Sequence, residues 1–293
     1  MDPRIARAAS VPSMVSGSLG LIAGAGRFPI EVARGARREG RLVLAIAFHG
    51  WTDPAIKAEV GSVKWLRVGQ VEAAVDSMLV AGVREAVMAG KVPKIALLDQ
   101  PETLRLDASA AALLRSLRDQ RDVSILRLVA DYLASRGIQL RGQLEFVPHL
   151  LARPGLLGRV KPTSEAEADI RFGWSIAKNV AGLDIGQTVV VKDRAVLAVE
   201  AIEGTDEAIR RAGSLTAGAR VVKVARRDCD LRFDLPAIGR ETASALVEAR
   251  IDTLAFEADR TVVIDREKLV EIADEHGVAL LGIQGEPEHR SIQ

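Results

Sequence analysis

The chain of 293 residues contains one cysteine, Cys229. An internal disulfide framework is therefore excluded, and a reducing compartment fits. Cys229 reads most simply as a partly buried small side chain, since no partner His motif accompanies it. Histidine is nearly as scarce: His49, His149, His276 and His289 are scattered without the spacing of a zinc site. No nucleophile-elbow pattern supports a Ser/His/Asp arrangement, and neither an internal repeat nor a low-complexity tract is present. No apolar run approaches the roughly 20 residues that span a bilayer. Residues 1–18, MDPRIARAASVPSMVSGS, carry two arginines but no continuous apolar core, and read as a flexible leader rather than a secretion signal. With a net charge of +1 there is no global attraction for nucleic acid, and none is expected as a partner.

The length predicts two domains. In the first, residues 19–146, the apolar run Leu19 to Ala23 leads into Gly24-Ala25-Gly26, then Pro29 and an amphipathic stretch ending at Gly40. This is strand, tight turn and helix, and backbone amides at such a turn can cradle an anion. A dinucleotide site is disfavoured. The third fingerprint glycine is missing, and the next strand, Arg41 to Phe48, ends in His49-Gly50 rather than a ribose-binding acid. Further strand and helix patterns follow at Val63 to Leu66, Val71 to Val80, Glu85 to Met88, Leu104 to Leu117, Ser124 to Arg136 and Ile138 to Leu140. Lys91, just past one strand end, is a candidate phosphate contact, with a solvated surface lysine as the competing reading. The alternation predicts a Rossmann-like, mostly parallel sheet with helices on both faces.

Periodicity is lost over residues 147–163, VPHLLARPGLLGRVKPT, which read as an interdomain linker. The second α/β domain, residues 164–293, opens with a capping-box signature, Ser164 with Glu167, on a helix running to Ala181. A hairpin follows, Thr188 to Lys192 and Ala195 to Glu200, turning at Asp193-Arg194. A Glu203-Gly204-Thr205-Asp206 turn opens a basic helix, and the strand Val221 to Val224 runs into the charges Lys223, Arg226, Arg227, Asp228, Asp230, Arg232 and Asp234. A helix at Glu241 to Glu248, strands near Thr253 to Phe256 and Thr261 to Ile264, a helix to His276 and a strand at Val278 to Leu281 complete the domain.

Gly204 and Thr205, at a helix start, favour an anion. Glu203, Asp206 and Glu200 would repel a phosphate there unless a cation lay between, and hard oxygen ligands without His or Cys suit Mg²⁺. The alternative is that Glu203 and Asp206 simply complement the helix N-terminus. Lys223, Arg226, Arg227 and Arg232 supply positive charge, while Asp230 or Asp234 could orient a water or hold the metal. Arg232 and Asp234 also read as a surface ion pair. If the strand continued, residues 223, 225 and 227 would share a face, with Ala225 an apolar gap between cations.

The segment GQTVVVKDRAVLAVEAIEGTD, the later KVA and DLRFDLPAIG, the early IAGAGRFP and AGKV at residues 89–92 together resemble the LpxI-type UDP-2,3-diacylglucosamine pyrophosphatases of lipid A biosynthesis. The likeness runs from about Leu19 to Gly282. It departs where the family has Lys-Pro and then Gln-Asp, since this chain has Arg226-Arg227 and Cys229-Asp230. The resemblance implies a Mg²⁺-dependent hydrolase that cuts UDP-2,3-diacylglucosamine to UMP and 2,3-diacylglucosamine 1-phosphate, with substrate between two domains. Such an enzyme is cytoplasmic and peripheral to the inner membrane, meeting its lipid at the cytoplasmic face; homodimer formation is left open. On this reading the catalytic set is Asp230, Asp234, Glu200 and Lys223. Substrate contacts are Gly24, Gly26, Lys91, Gln187, Thr188, Gly204, Thr205, Ala225 and Arg232, and the metal ligands are Glu203, Asp206 and Asp230. Leu150, Leu151, Leu156 and Leu157 either pack ordinarily or line an acyl groove. A protein that binds UDP-sugar without turning it over is the competing class.

Overall fold

A computed structural model of the chain describes residues 17–92, 104–116 and 122–285. Residues 1–16 of the expected leader, and His289, lie outside them. In the N-terminal half, five parallel strands, β1 (Ser18–Ala23), β2 (Leu42–Phe48), β3 (Ser62–Leu66), β4 (Glu85–Ala89) and β5 (Gln139–Leu140), are ordered β3-β2-β1-β4-β5. Helices α1 (Phe28–Arg38), α2 (Val71–Val80), α3 (Ala108–Ser116), α4 (Asp122–Ser135) and α5 (Gln143–Phe146) surround it. The inner strands β1, β2 and β4 are almost continuously apolar because both faces are covered, whereas β3 at the edge alternates. Leu19, Leu21 and Ala23 are buried in one cluster with Phe28, Ile30 and Val32 of α1. Ile46 and Met88 belong to another, with Met78 of α2 and Leu133 of α4. Each such aliphatic side chain, taken fully from water, contributes about 1.5–3 kcal/mol. The strand order reverses between β1 and β4, and at such a switch point the carboxyl ends of the strands leave a crevice.

The C-terminal half is a six-stranded sheet ordered β6-β13-β11-β9-β7-β8. β9 (Arg220–Lys223), β11 (Thr253–Glu257) and β13 (Ala279–Ile283) are parallel, while the hairpin of β7 (Thr188–Lys192) and β8 (Ala195–Val199) joins antiparallel, as does β6 (Gly155–Leu156) at the far edge. β10 (Ala237–Ile238) and β12 (Val262–Val263) form a separate parallel pair. Helix α6 (Ser164–Gly182) covers one face through Ile170 and Trp174; α7 (Thr205–Leu215), α8 (Arg240–Glu248) and α9 (Arg266–Glu275) cover the other through Ile209, Leu246 and Leu269. Asp193 and Arg194 turn the hairpin at φ +50° and +58°, costly for non-glycine residues. Buried Asp169 on α6 offsets this by accepting from both turn amides, at 3.0 and 2.7 Å, and is itself held by Arg220.

Helix α6 is capped one residue earlier than the sequence suggested: Thr163 Oγ1 accepts from Ala166 N at 3.2 Å, so the capping-box reading of Ser164 is corrected. Residues 147–163 are divided between the halves. Leu150 is buried in the N-terminal core, β6 belongs to the C-terminal sheet, and Leu157 packs on the C-terminal core, so the linker leucines do not converge on a groove. The halves share apolar surface. Leu235, Ala237, Val262 and Ile264 pack with the cluster containing Phe28 and Ile30, and Phe233 is buried in the cluster containing Ile46, Leu66 and Met78. No helix among the described residues is long and apolar enough to cross a membrane.

Candidate active site

The first residue of β7, Thr188, lies opposite the last residue of β9, Lys223, and α7 begins beside them with Thr205. Lys223 Nζ donates to Thr205 Oγ1 at 2.6 Å and Thr188 Oγ1 at 3.3 Å, and lies 4.0 Å from Glu200. Thr205 Oγ1 donates to Glu200 Oε1 at 2.9 Å, and Gln187 N donates to Glu200 Oε2 at 3.1 Å. The turn into α7 runs through Gly204 at φ +86°, a conformation that favours glycine. Burial lowers the Lys223 ammonium below the ordinary lysine range; Glu200 opposes this, Lys91 adds to it and Asp206 opposes it. Burial works to raise Glu200, but the Lys223 charge, the Thr188 and Thr205 hydroxyls and the Gln187 amide outweigh it and leave the carboxyl low. The exposed Lys91 therefore stands in the electrostatic field of Lys223, across from it on the other half. The structure thus brings together Glu200, Lys223, Thr188, Thr205 and Gln187, with Asp206 and Lys91 near enough to act on the Lys223 charge.

The glycine turn plays a different part from the one expected. A β-carbon on Gly24 would stand 2.6 Å from Lys91 O, so glycine is required for the end of β4 to come close. The Gly24 and Ala25 amides are spent on Ala89 O and Lys91 O, at 2.8 and 2.7 Å, and are not directed at a ligand. Gly24 thus lets the end of β4 come close and sets Lys91 at the crevice rim, and the first two amides of the turn are not left to cradle phosphate; Gly26 takes a left-handed turn at φ +85°.

Asp230 sits on the loop after β9. Its carboxylate accepts from Arg232 N at 3.0 Å, Nε at 2.9 Å and Nη2 at 2.6 Å, and the Arg232 hydrogen bonds hold it below the usual carboxylate range. Leu231 and Arg232 face a cavity of ≈ 540 Å³ shared with Leu140, Arg141 and Leu144 of the other half. Asp234 does not pair with Arg232; its carboxylate lies against the buried Arg226, whose second partner is Asp184 at 2.8 Å. An acid neutralised in this way at the loop's neck is an anchor, which corrects the catalytic reading of Asp234. Ala225 is also corrected. β9 stops at Lys223, Ala225 is fully buried, and its backbone is held by Glu257 and Lys178. The expected metal set is not assembled. Glu203 pairs with Arg211 at 2.7 Å, Asp230 pairs with Arg232, and among the described residues no three His, Cys, Asp or Glu side chains are grouped to hold an ion. Asp206 is the exception within that trio, because its Oδ1 is buried without a partner.

Sequence reasoning missed Glu257, Lys178, Asp184 and Arg260, which hold the Asp230 loop. Only Glu257 left a signal: an acid ending an apolar strand, as Lys223 ends its neighbour, with Phe256 paired to Lys223 in the sheet.

Residues 18–150 match the family model described as the LpxI N-terminal domain, and residues 153–281 match the LpxI C-terminal domain. The chain belongs to the LpxI family. A relative from Caulobacter vibrioides, UDP-2,3-diacylglucosamine pyrophosphatase LpxI, is 31% identical over 288 residues, covering 93% of this chain and 99% of the relative. Among solved structures, the NADPH complex of leucoanthocyanidin reductase from Vitis vinifera is 15% identical, covering 42% of this chain and 47% of its own, at a TM-score of 0.25. An ADP-bound biotin carboxylase domain of a thermophilic 2-oxoglutarate carboxylase is 14% identical, covering 63% and 38%, at 0.26. Likenesses this distant carry no argument here. For an LpxI-family chain, the division of the match near residue 151 agrees with the passage between the two sheets.

Proposed function

We propose that this chain hydrolyses the diphosphate of UDP-2,3-diacylglucosamine to UMP and 2,3-diacylglucosamine 1-phosphate, with water attacking phosphorus and Mg²⁺ as cofactor. The observation that carries this reading is the buried cluster of Lys223, Thr205, Thr188 and Glu200 at the strand ends, with Lys91 and Asp206 close enough to act on the Lys223 charge, in a chain of the LpxI family. Two cations in one another's field are relieved by an anion between them, and a diphosphate supplies one. As the phosphorus–oxygen bond breaks, charge grows on the phosphoryl oxygens, and the Lys223 ammonium, held by Thr205 at the start of α7, stabilises that charge without reorganising. Glu200 has both oxygens engaged, so its part is to hold Lys223 and Thr205 in place. Asp230 also has both oxygens engaged, but by the exposed Arg232, which can turn away to solvent and leave an ionised acceptor suited to orienting a water.

Asp206, with its unpartnered buried oxygen, fits a single carboxylate contact to Mg²⁺, the remaining ligands coming from diphosphate and water. When bound, the ion neutralises diphosphate charge. The acyl chains are assigned to the cavity beside Leu144 and Leu231 instead of to the linker leucines, and the protein to a peripheral place on the cytoplasmic membrane face. The test is purified protein with the lipid nucleotide and Mg²⁺, followed for UMP. No release above a chelator-treated control would leave binding without turnover and sink the enzyme reading.

A further inference from the structure

Between Val224 and β10 the chain has neither strand nor helix, so its main-chain groups need partners from elsewhere. Side chains of the flanking elements supply them in succession. Glu257 Oε2 accepts from Ala225 N at 2.8 Å, and Lys178 Nζ donates to Ala225 O at 3.0 Å. Arg260, in the connection after β11, then takes over with one nitrogen. Its Nη2 donates to Arg226 O at 2.9 Å and Arg227 O at 3.1 Å, and reaches Cys229 Sγ at 3.0 Å. The neck of the loop is closed by Arg226 against Asp234. Asp230 opens the next turn, its carbonyl accepting from Phe233 N at 3.1 Å and Asp234 N at 2.9 Å. The arc carried by Arg260 therefore ends one residue before the carboxylate.

We propose that Arg260 is a positioning residue for the hydrolysis: it holds residues 226–229 and so fixes where the Asp230 carboxylate, which follows directly, stands. This rests on the reading of Asp230 as the group that orients water. Arginine suits the task because the planar guanidinium fixes the direction of its Nη2 hydrogens, whereas a lysine ammonium is a point charge on a flexible stem. Arg260 is only half-buried and its stem can be kept by methionine, so its removal tests position more than folding. A displacement of about 1 Å at a reacting group can cost about 100-fold in rate.

The experiment compares Arg260→Met and Arg260→Lys with the unaltered full chain, measuring kcat and KM for UMP release, melting temperature, and amide hydrogen exchange over residues 226–234. Arg260→Met should lower kcat by about 10- to 100-fold while KM and melting temperature barely move, with faster exchange over the arc. Arg260→Lys, which keeps a donor, should recover part of kcat. A kcat within about twofold of the unaltered chain overturns the proposal. So does a rise in KM with exchange unchanged, which would make Arg260 a substrate contact, or a kcat loss that only follows the fraction unfolded. If the unaltered chain releases no UMP, the hydrolase reading fails instead, and the exchange comparison still shows whether Arg260 holds the arc.

Discussion

Glu257→Gln isolates the charge of one buried acid. Glu257 and Lys178 lie 2.5 Å apart with side chains 8% and 11% exposed, so each ion depends on the other for the solvation that water no longer gives. Glutamine's oxygen can stand in for Oε2 toward both Ala225 N and Lys178 Nζ, but the negative charge that balances the buried ammonium is gone. Removing one member of a buried pair costs about 3–5 kcal/mol. At about 2–4 °C per kcal/mol for a chain of a few hundred residues, the melting temperature should fall by roughly 6–20 °C. Thermal melts and denaturant titrations followed by circular dichroism measure this directly. The paired variant Glu257→Gln with Lys178→Met removes both charges while keeping an acceptor for Ala225 N, and should recover part of the loss, because no uncompensated charge remains. A Glu257→Gln change below about 1 kcal/mol, or a double variant no better than the single, would refute the argument that mutual solvation governs this pair.

Asp230→Ala should lower kcat by about 10²–10⁴ with little change in melting temperature, since its partner Arg232 is on the surface; near-normal turnover would remove Asp230 from the reaction. Glu200 has a lowered folded-state pKa, so its contribution to stability is fully present above the ordinary glutamate range and is lost as pH falls through the lower folded value. Denaturant midpoints across that acid range should show the loss in the native chain and a flatter profile in Glu200→Gln; parallel profiles would contradict it. Chelation should abolish UMP release, Mg²⁺ should restore it, and Asp206→Asn should raise the Mg²⁺ concentration required. Full turnover under chelator would exclude the ion from the reaction.

Much of the architecture was legible because it is written in local pattern. Apolar strands alternating with helices read as a parallel sheet, and Asp193-Arg194 between two β-branched runs read as a hairpin. Lys223, Glu200 and Thr205 were legible for a related reason, standing where strands end and a helix begins. The pairings of charge were not. With 40 basic and 39 acidic residues, nothing local says that Asp234 meets Arg226 rather than Arg232, or that Glu257 meets Lys178 from the far side of the sheet. The glycine turn shows the same limit. Gly24-Ala25-Gly26 has the composition of an anion cradle, but whether its amides are free depends on the end of β4, which arrives much later in the chain.

Phe233 leaves a loop that starts in the C-terminal sheet and is buried in the cluster that holds Ile46, Leu66 and Met78 of the N-terminal half. A chain made from its N-terminus forms most of that cluster first and waits for the plug. Seating that plug ties a loop already held from its own half by Glu257, Lys178 and Arg260 to the other half as well. Parting the halves would therefore pull Phe233 from its seat while nearly all helices and strands stay in place.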